Sequence, residues 1–274
     1  MAHYLISAKT ATLHVSKGNR KIGKGIWAFS TLPGNQDHLL YVKGLGLLTS
    51  VPGTCSKYCE GCAKDGACYA WRDAKLHHNV TIKAWGENTV LLREDIDGLF
   101  NKIDEFITKK NAKYNDTKDE KYLRVRVWRW HVSGEIESLK QLEKMNELAV
   151  KHPEVNFGVY TKNFDVLDEF LTNSADGNFA DNFIVNVSQW HGVADEFLAK
   201  WPGRFNVFEY DDSNLKGCEL SDEDKARLKK VAHCPAVAPD GTHRKDKDGN
   251  PITCDHCNRC YTKRPGQLTA VHAH

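Results

Sequence analysis

The stretch Val155-Asn156-Phe157-Gly158-Val159-Tyr160-Thr161 decides the fold, read together with what stands on either side of it. Its alternation of apolar and mixed residues, ending at Lys162-Asn163, is that of a β-strand. Before it, Ser138 to Lys151 places Leu139, Leu142, Met145 and Leu148 on one helical face. After it, Asn163 can cap a helix with Asp165 in the first turn and Val166, Leu167 and Phe170 as the apolar side. The rhythm extends both ways: Arg124 to His131, Phe183 to Ser188 and Arg204 to Tyr210 read as strands, Val193 to Lys200 as a short helix. Strands alternating with helices over such short connections imply a parallel sheet with right-handed crossovers. The expected fold is α/β, a partial (β/α) barrel of the TIM type, preceded by a long helix from about Glu87 to Lys110.

Alternation also assigns the faces. Val155, Phe157 and Val159 oppose Asn156, Gly158 and Tyr160; Phe183, Val185 and Val187 oppose Ile184, Asn186 and Ser188; Phe205 and Val207 oppose Asn206, Phe208 and Tyr210. The apolar sets should pack under helices and the mixed sets should line the inside. Tyr160, Asn186, Ser188 and Asn206 suit a partly open barrel that holds a ligand; the alternative is hydrogen bonding within a packed core. The same logic turns Arg126, Trp128 and Trp130 inward. Lys109 to Lys121 reads as a solvated loop, Lys17 to Lys24 as a hairpin.

Nine cysteines carry the chemistry. Cys55, Cys59, Cys62 and Cys68 share one loop, while Cys254, Cys257 and Cys260 form a Cys-x2-Cys-x2-Cys run with Cys234 upstream beside Pro235; Cys218 stands apart. Spacings of four and three in Cys55, Cys59 and Cys62 match a cubane iron–sulfur cluster that leaves one iron open, and the second group can close a cluster completely. Two iron–sulfur clusters, of the [4Fe-4S] type, are the expectation, with zinc as the alternative at each site. Trp27, Trp71 and Trp85 are expected to wall the first cluster. The tail after Cys234 has too few apolar residues for a core of its own, so metal should supply its folding energy. That divides the chain into a barrel unit, 1–217, and a small cysteine-rich extension, 218–274, in which His256, His272 and His274 read as solvated tail residues.

Composition excludes other classes. A net charge of +2 over 274 residues gives no bulk attraction to nucleic acid or to a membrane surface. The start carries no signal-like segment, and the longest apolar candidate, Leu39 to Val51, is broken by Lys43, Gly44, Gly46, Thr49 and Ser50. A cytoplasmic location, where thiols stay reduced, is the expectation, and it favours metal over disulfides.

These residues carry two resemblances. The three-cysteine loop, then a strand ending in Ser133-Gly134-Glu135, then βα units, resembles the radical S-adenosylmethionine (SAM) superfamily from about Thr54 to Tyr210. That resemblance implies that Cys55, Cys59 and Cys62 bind a cluster whose open iron takes SAM. Ser133, Gly134 and Glu135 would then meet its amine, and Ser188 its carboxylate. Tyr160-Thr161-Lys162-Asn163 falls where that superfamily often has a Thr-Asn-Gly stretch. Residue 61, usually aromatic there, is glycine, whereas Tyr69 follows Cys68, which leaves Cys55, Cys62 and Cys68 as a rival triplet. Over nearly its whole length the chain is also similar to the phage and mobile-element "gene product eighty-eight" family. The shared pattern runs from Asn19-Arg20-Lys21-Ile22-Gly23 through Thr54-Cys55, Cys68-Tyr69-Ala70, Arg129-Trp130-His131-Val132-Ser133-Gly134, Tyr160-Thr161 and Cys234-Pro235 to the Cys254–Cys260 run. It implies an iron–sulfur protein of a mobile genome.

Three functions follow as expectations. One is a redox or radical enzyme that binds SAM. Another is a non-catalytic iron–sulfur protein acting on nucleic acid or a host protein. The third is a zinc-stapled nucleic-acid module that stacks bases on the aromatic and basic residues of Arg124–Trp130.

Overall fold

The expected βα rhythm forms. The computed structural model describes residues 5–18, 22–23, 25–42, 47–59, 68–117, 123–173, 178–213 and 220–272. A hairpin of β1 (Val15–Lys17) and β2 (Ile26–Phe29) comes first, then a separate two-stranded hairpin, β3 (Asp37–Val42) and β4 (Leu47–Pro52). Three helices follow: α1 (Tyr69–Leu76), α2 (His78–Glu94) and α3 (Ile96–Thr117). The repeating part is β5 (Val127–Trp130), α4 (Leu139–Lys151), β6 (Asn156–Thr161), α5 (Phe164–Asn173), β7 (Phe183–Gln189), α6 (Asp195–Lys200) and β8 (Asn206–Asp211). The tail adds α7 (Asp222–Leu228), β9 (Ala232–His233), α8 (Cys254–Cys257) and β10 (Leu268–His272).

Eight strands make one sheet in the order β1-β2-β5-β6-β7-β8-β10-β9, parallel throughout except at β1. β1 and β9 are its two edges, so the sheet is open and no closed TIM barrel forms. Strands β5 to β8 add side by side in chain order, so crossovers of one hand put α4, α5 and α6 on one face. That face is the main core: Phe157, Val159, Val185 and Val187 pack against Leu142, Met145, Leu167 and Phe170. Ser138 caps α4 by accepting from the Gln141 amide at 3.2 Å, and Asn163 does the same for α5 from Val166 at 3.4 Å. The expected boundary at 217/218 falls in 214–219, outside the described residues. The tail beyond it is stitched into the same sheet, because β10 pairs with β8 from Leu268↔Val207 to His272↔Asp211.

Three expectations are corrected. Trp128 and Trp130 do not face inward. Register aligns Trp128 with Phe157 and Phe183, so both tryptophans lie under the helices, 6.1 Å from Phe106 and 5.4 Å from Phe100, and Arg129 takes the opposite face. The helix expected over Glu87–Lys110 is two helices broken at Asp95, whose carboxylate accepts from the Gly98 amide at 2.9 Å. Residues 109–117, read as loop, continue α3, because Asn111 is buried and holds Val125 through both backbone groups. Among the described residues no helix is long and apolar enough to cross a membrane.

Candidate metal centres

The first cysteine loop is held at the carboxyl edge of the sheet by backbone contacts. Gly53 follows β4 where a side chain would collide with the carbonyls of Pro33 and Gly34 at 2.3 and 2.2 Å, so only glycine permits that approach. Thr54 and Cys55 then donate their amides to Leu32 and Gly34 at 3.0 and 2.9 Å. Arg93 ties the same turn to the end of β5, donating to the Pro52 and Gly53 carbonyls and to the Glu137 carboxylate. On the far side Ser56 donates to the Lys162 carbonyl, and Tyr58 and Lys57 reach Asp165 at 2.9 and 2.8 Å.

This frame brings Cys55 and Cys59 together beside Glu135. The Cys55 sulfur accepts the Gly34 amide at 3.1 Å. Cys59 is pulled down by the hydrogen bond it shares with Cys55, and Lys162 helps; Cys55 is pushed well up by that bond and by burial. Cys68 is half-buried at the start of α1; Cys62 and Cys218 lie outside the described residues.

The Ser133-Gly134-Glu135 turn is positioned by a buried relay. Gln141 donates to His131 Nε2 at 2.7 Å, so His131 Nδ1 carries the proton and donates to Thr31 at 3.1 Å. Thr31 contacts the Thr54 hydroxyl at 2.8 Å, and Thr54 accepts the Glu135 amide at 2.8 Å. Full burial holds His131 neutral, its pKa lowered to about 3. Gly134 has φ +81°, and a side chain there would strike both threonine hydroxyls. Glu135 accepts the amides of Ile136 at 2.9 Å and Lys162 at 2.7 Å; burial still raises its pKa. The buried Ser133 hydroxyl has no hydrogen-bond partner among the described residues.

The second cysteine group sits on the other face of the sheet. α8 carries Cys254 and Cys257, Asn258 turns the chain in the left-handed region at φ 51°, and a 3-10 turn delivers Cys260. Cys234 joins them by donating its amide to Ala270 of β10 at 2.7 Å. Cys254 and Cys260 lie within electrostatic reach of Arg129 and of the Cys234 and Cys257 thiols. Burial pushes Cys254 up to about 12 and raises Cys260. The floor beneath them is the mixed face of the strands. Tyr261 sets one ring edge against Gly158, where a side chain would come within 2.6 Å of its ring, and Arg129 stacks on Tyr160 at 4.8 Å.

The expected ligand pocket is thereby divided. Ser133, Gly134 and Glu135 stay with Cys55 and Cys59. Tyr160 bonds the Cys260 thiol, and Asn186 donates to the carbonyls of Val159 and Cys260 at 3.2 and 3.0 Å. Asn206 likewise holds Thr262 and Arg264. These side chains seat the tail on the sheet, which is the internal hydrogen-bonding alternative. Ser188 lies on the same face, one pleat nearer the carboxyl edge. Of the tryptophans expected around the first cysteine group, Trp27 meets Phe106 edge-on in the core at 5.1 Å, and Trp71 contacts His38 at 5.0 Å. The sequence sets Thr54 directly before Cys55 but gives no sign of the His131–Thr31–Thr54 relay or of the Lys162 contact, which join residues far apart in the chain. His256 is exposed as expected, whereas His272 is in β10 and reaches Asp211 at 3.0 Å.

A family model described as Gene product 88 matches residues 13–263. No curated protein and no solved structure matches the chain.

Proposed function

We propose, for a chain that belongs to the Gene product 88 family, that it is an iron–sulfur protein with two cluster sites of distinct roles. Cys234, Cys254, Cys257 and Cys260 would hold a fully ligated cluster that fastens the tail to the sheet. Cys55 and Cys59, with Cys62 or Cys68, would hold the other at the carboxyl edge. The observation that carries this reading is the gathering of four half-buried cysteines beside Arg129 and Tyr160 from positions as far apart as 234 and 260. Burial raises the Cys254 and Cys260 thiols, and a multivalent cation is what makes four thiolates stable side by side. Four thiolate ligands suit a [4Fe-4S] cubane.

The finer reading is that the first cluster keeps an iron open and binds SAM for redox or radical chemistry. A cluster there supplies electrons one at a time. The residues around it would do the rest: Glu135 offers a buried carboxylate to an ammonium, and the unpartnered Ser133 hydroxyl offers one more polar contact. The position agrees with the rule that open parallel sheets bind ligands outside the carboxyl ends of their strands. The Gly34 amide on Cys55 is the type of contact that adjusts cluster potential. Protein prepared without oxygen should contain roughly eight irons and eight sulfides, as two four-iron centres require, and SAM should alter the resonance of one reduced cluster. Stoichiometric zinc from iron-replete cells would overturn the cluster assignment. An unaltered resonance would remove SAM and leave a non-catalytic iron–sulfur protein that binds nucleic acid or a host protein.

A further inference from the structure

We propose that Asp211, His233 and His272 bind one divalent first-row transition-metal ion through a carboxylate oxygen and two imidazole nitrogens, at a site separate from both cysteine groups. The three residues come from adjacent strands at one corner of the sheet. Asp211 ends β8, and His272, its register partner, ends β10; His233 ends β9, on the far side of β10. One ligand atom from each lies within 4.8 Å of the others, a convergence found for no other His, Cys, Asp or Glu trio among the described residues.

The hydrogen bonding at this corner asks for a cation. Asp211 Oδ1 accepts the Ser213 amide at 3.0 Å, which leaves Oδ2 facing the histidines. His233 Nε2 and His272 Nδ1 lie 3.2 and 3.0 Å from that oxygen. The other nitrogen of His233 is 3.2 Å from the Val231 carbonyl, a contact that only a ring N–H can make. In the neutral ring the Nε2 lone pair therefore points at a carboxylate oxygen that can only accept. A histidine whose far nitrogen is held by a backbone carbonyl is the usual arrangement of a metal ligand, with tautomer and ring plane fixed in advance. The two imidazole rings stack at 4.4 Å and 19°, so two imidazolium charges here would repel, whereas one ion serves both.

The distances fit. Metal–ligand bonds of about 2.0–2.2 Å put neighbouring ligand atoms about 3.0 Å apart at right angles and about 3.4 Å apart in a tetrahedron. The observed 3.0 and 3.2 Å fall in that interval. Asp211 is 2% exposed, so its charge is withdrawn from water and free to act on a bound ion. Two imidazoles and one carboxylate favour Fe(II), Co(II), Ni(II) or Zn(II) over calcium and magnesium, and three protein ligands leave positions for water or a small oxygen ligand.

Cobalt(II) separates this site from the cysteines, because thiolate ligation adds an intense near-ultraviolet charge-transfer band that nitrogen and oxygen ligands lack. Cluster-loaded full-length protein should take up one cobalt with weak visible bands and no such charge-transfer band. His233→Gln, at the more exposed ligand, should weaken that uptake by about 100-fold or more, the upper end of what even supporting residues contribute. Cobalt should raise the melting temperature of the parent and leave that of His233→Gln unmoved. Cys257→Ser should retain the cobalt site. Uptake that is absent, that carries the thiolate band, or that survives both His233→Gln and Asp211→Asn overturns the proposal. Failure here leaves the cluster assignment standing, since the two share no ligand.

Discussion

Gly134→Ala tests how the Glu135 turn is held. Gly134 stands at φ +81°, where an alanine costs about 1–2 kcal/mol relative to glycine. Its Cβ would lie 2.0 Å from Thr31 Oγ1 and 2.4 Å from Thr54 Oγ1. Ordinary contact requires those hydroxyls to retreat by roughly 1–1.5 Å. Retreat breaks the 2.8 Å bond from the Glu135 amide to Thr54 and the 3.1 Å contact of His131 with Thr31, both buried. An orphaned buried group costs about 1–3 kcal/mol. With two such groups the total is about 3–8 kcal/mol, a large share of the 5–15 kcal/mol typical of folded domains. At about 2 °C per kcal/mol for a chain of this size, the melting temperature should fall by about 6–16 °C. Urea unfolding of anaerobically prepared protein, followed by circular dichroism, measures this directly. Thr31→Ala removes the hydroxyl nearest the new methyl, so the double variant should recover about 1 kcal/mol or more relative to the sum of the singles. A Gly134→Ala protein within about 0.5 kcal/mol of the parent, or strict additivity in the double, would refute the reasoning.

Other consequences can be checked in parallel. His131 titrates near 3 when folded against 6.5 when free, so the unfolded chain binds the proton first and stability falls as pH drops through that window. The slope is at most about 1.4 kcal/mol per pH unit. Raised Glu135 acts in the opposite sense, its contribution being lost as pH rises, so the informative quantity is the difference between parent and His131→Gln; equal slopes would contradict a buried neutral histidine. Cys257→Ser should release iron and open residues 234–260 to protease, while α4 and α5 stay protected; unchanged proteolysis would show that the tail folds without its metal. Arg227 forks onto Glu209 at 2.6 and 2.8 Å, and the Glu209 side chain is 3% exposed. Arg227→Ala should cost about 1–3 kcal/mol, discounted for the half-exposed guanidinium, with partial recovery in Glu209→Gln; a loss below about 0.5 kcal/mol would place the pair with ordinary surface bridges.

The sequence by itself determined what is local. Periods of two and of about 3.6 residues marked each element from β5 to β8 within a few residues, because a side chain's face in one strand or helix depends only on its own backbone. Cysteine spacing likewise separated the two groups before any contact was known, since three thiols within eight residues are close in any conformation. Pairing across the chain is not local. The tail cysteines carry no mark that they rest on Arg129, Tyr160 and Gly158, and nothing near Asn186 signals that its partner is the Cys260 carbonyl. Trp128 looked inward by its neighbours' alternation, but register against Phe157 and Phe183 turned it beneath the helices. His272 read as a solvated end, yet the pairing of β10 with β8 sets it against Asp211. Periodicity fixes which way a residue points within its own element; only the order in which distant strands meet decides what it points at.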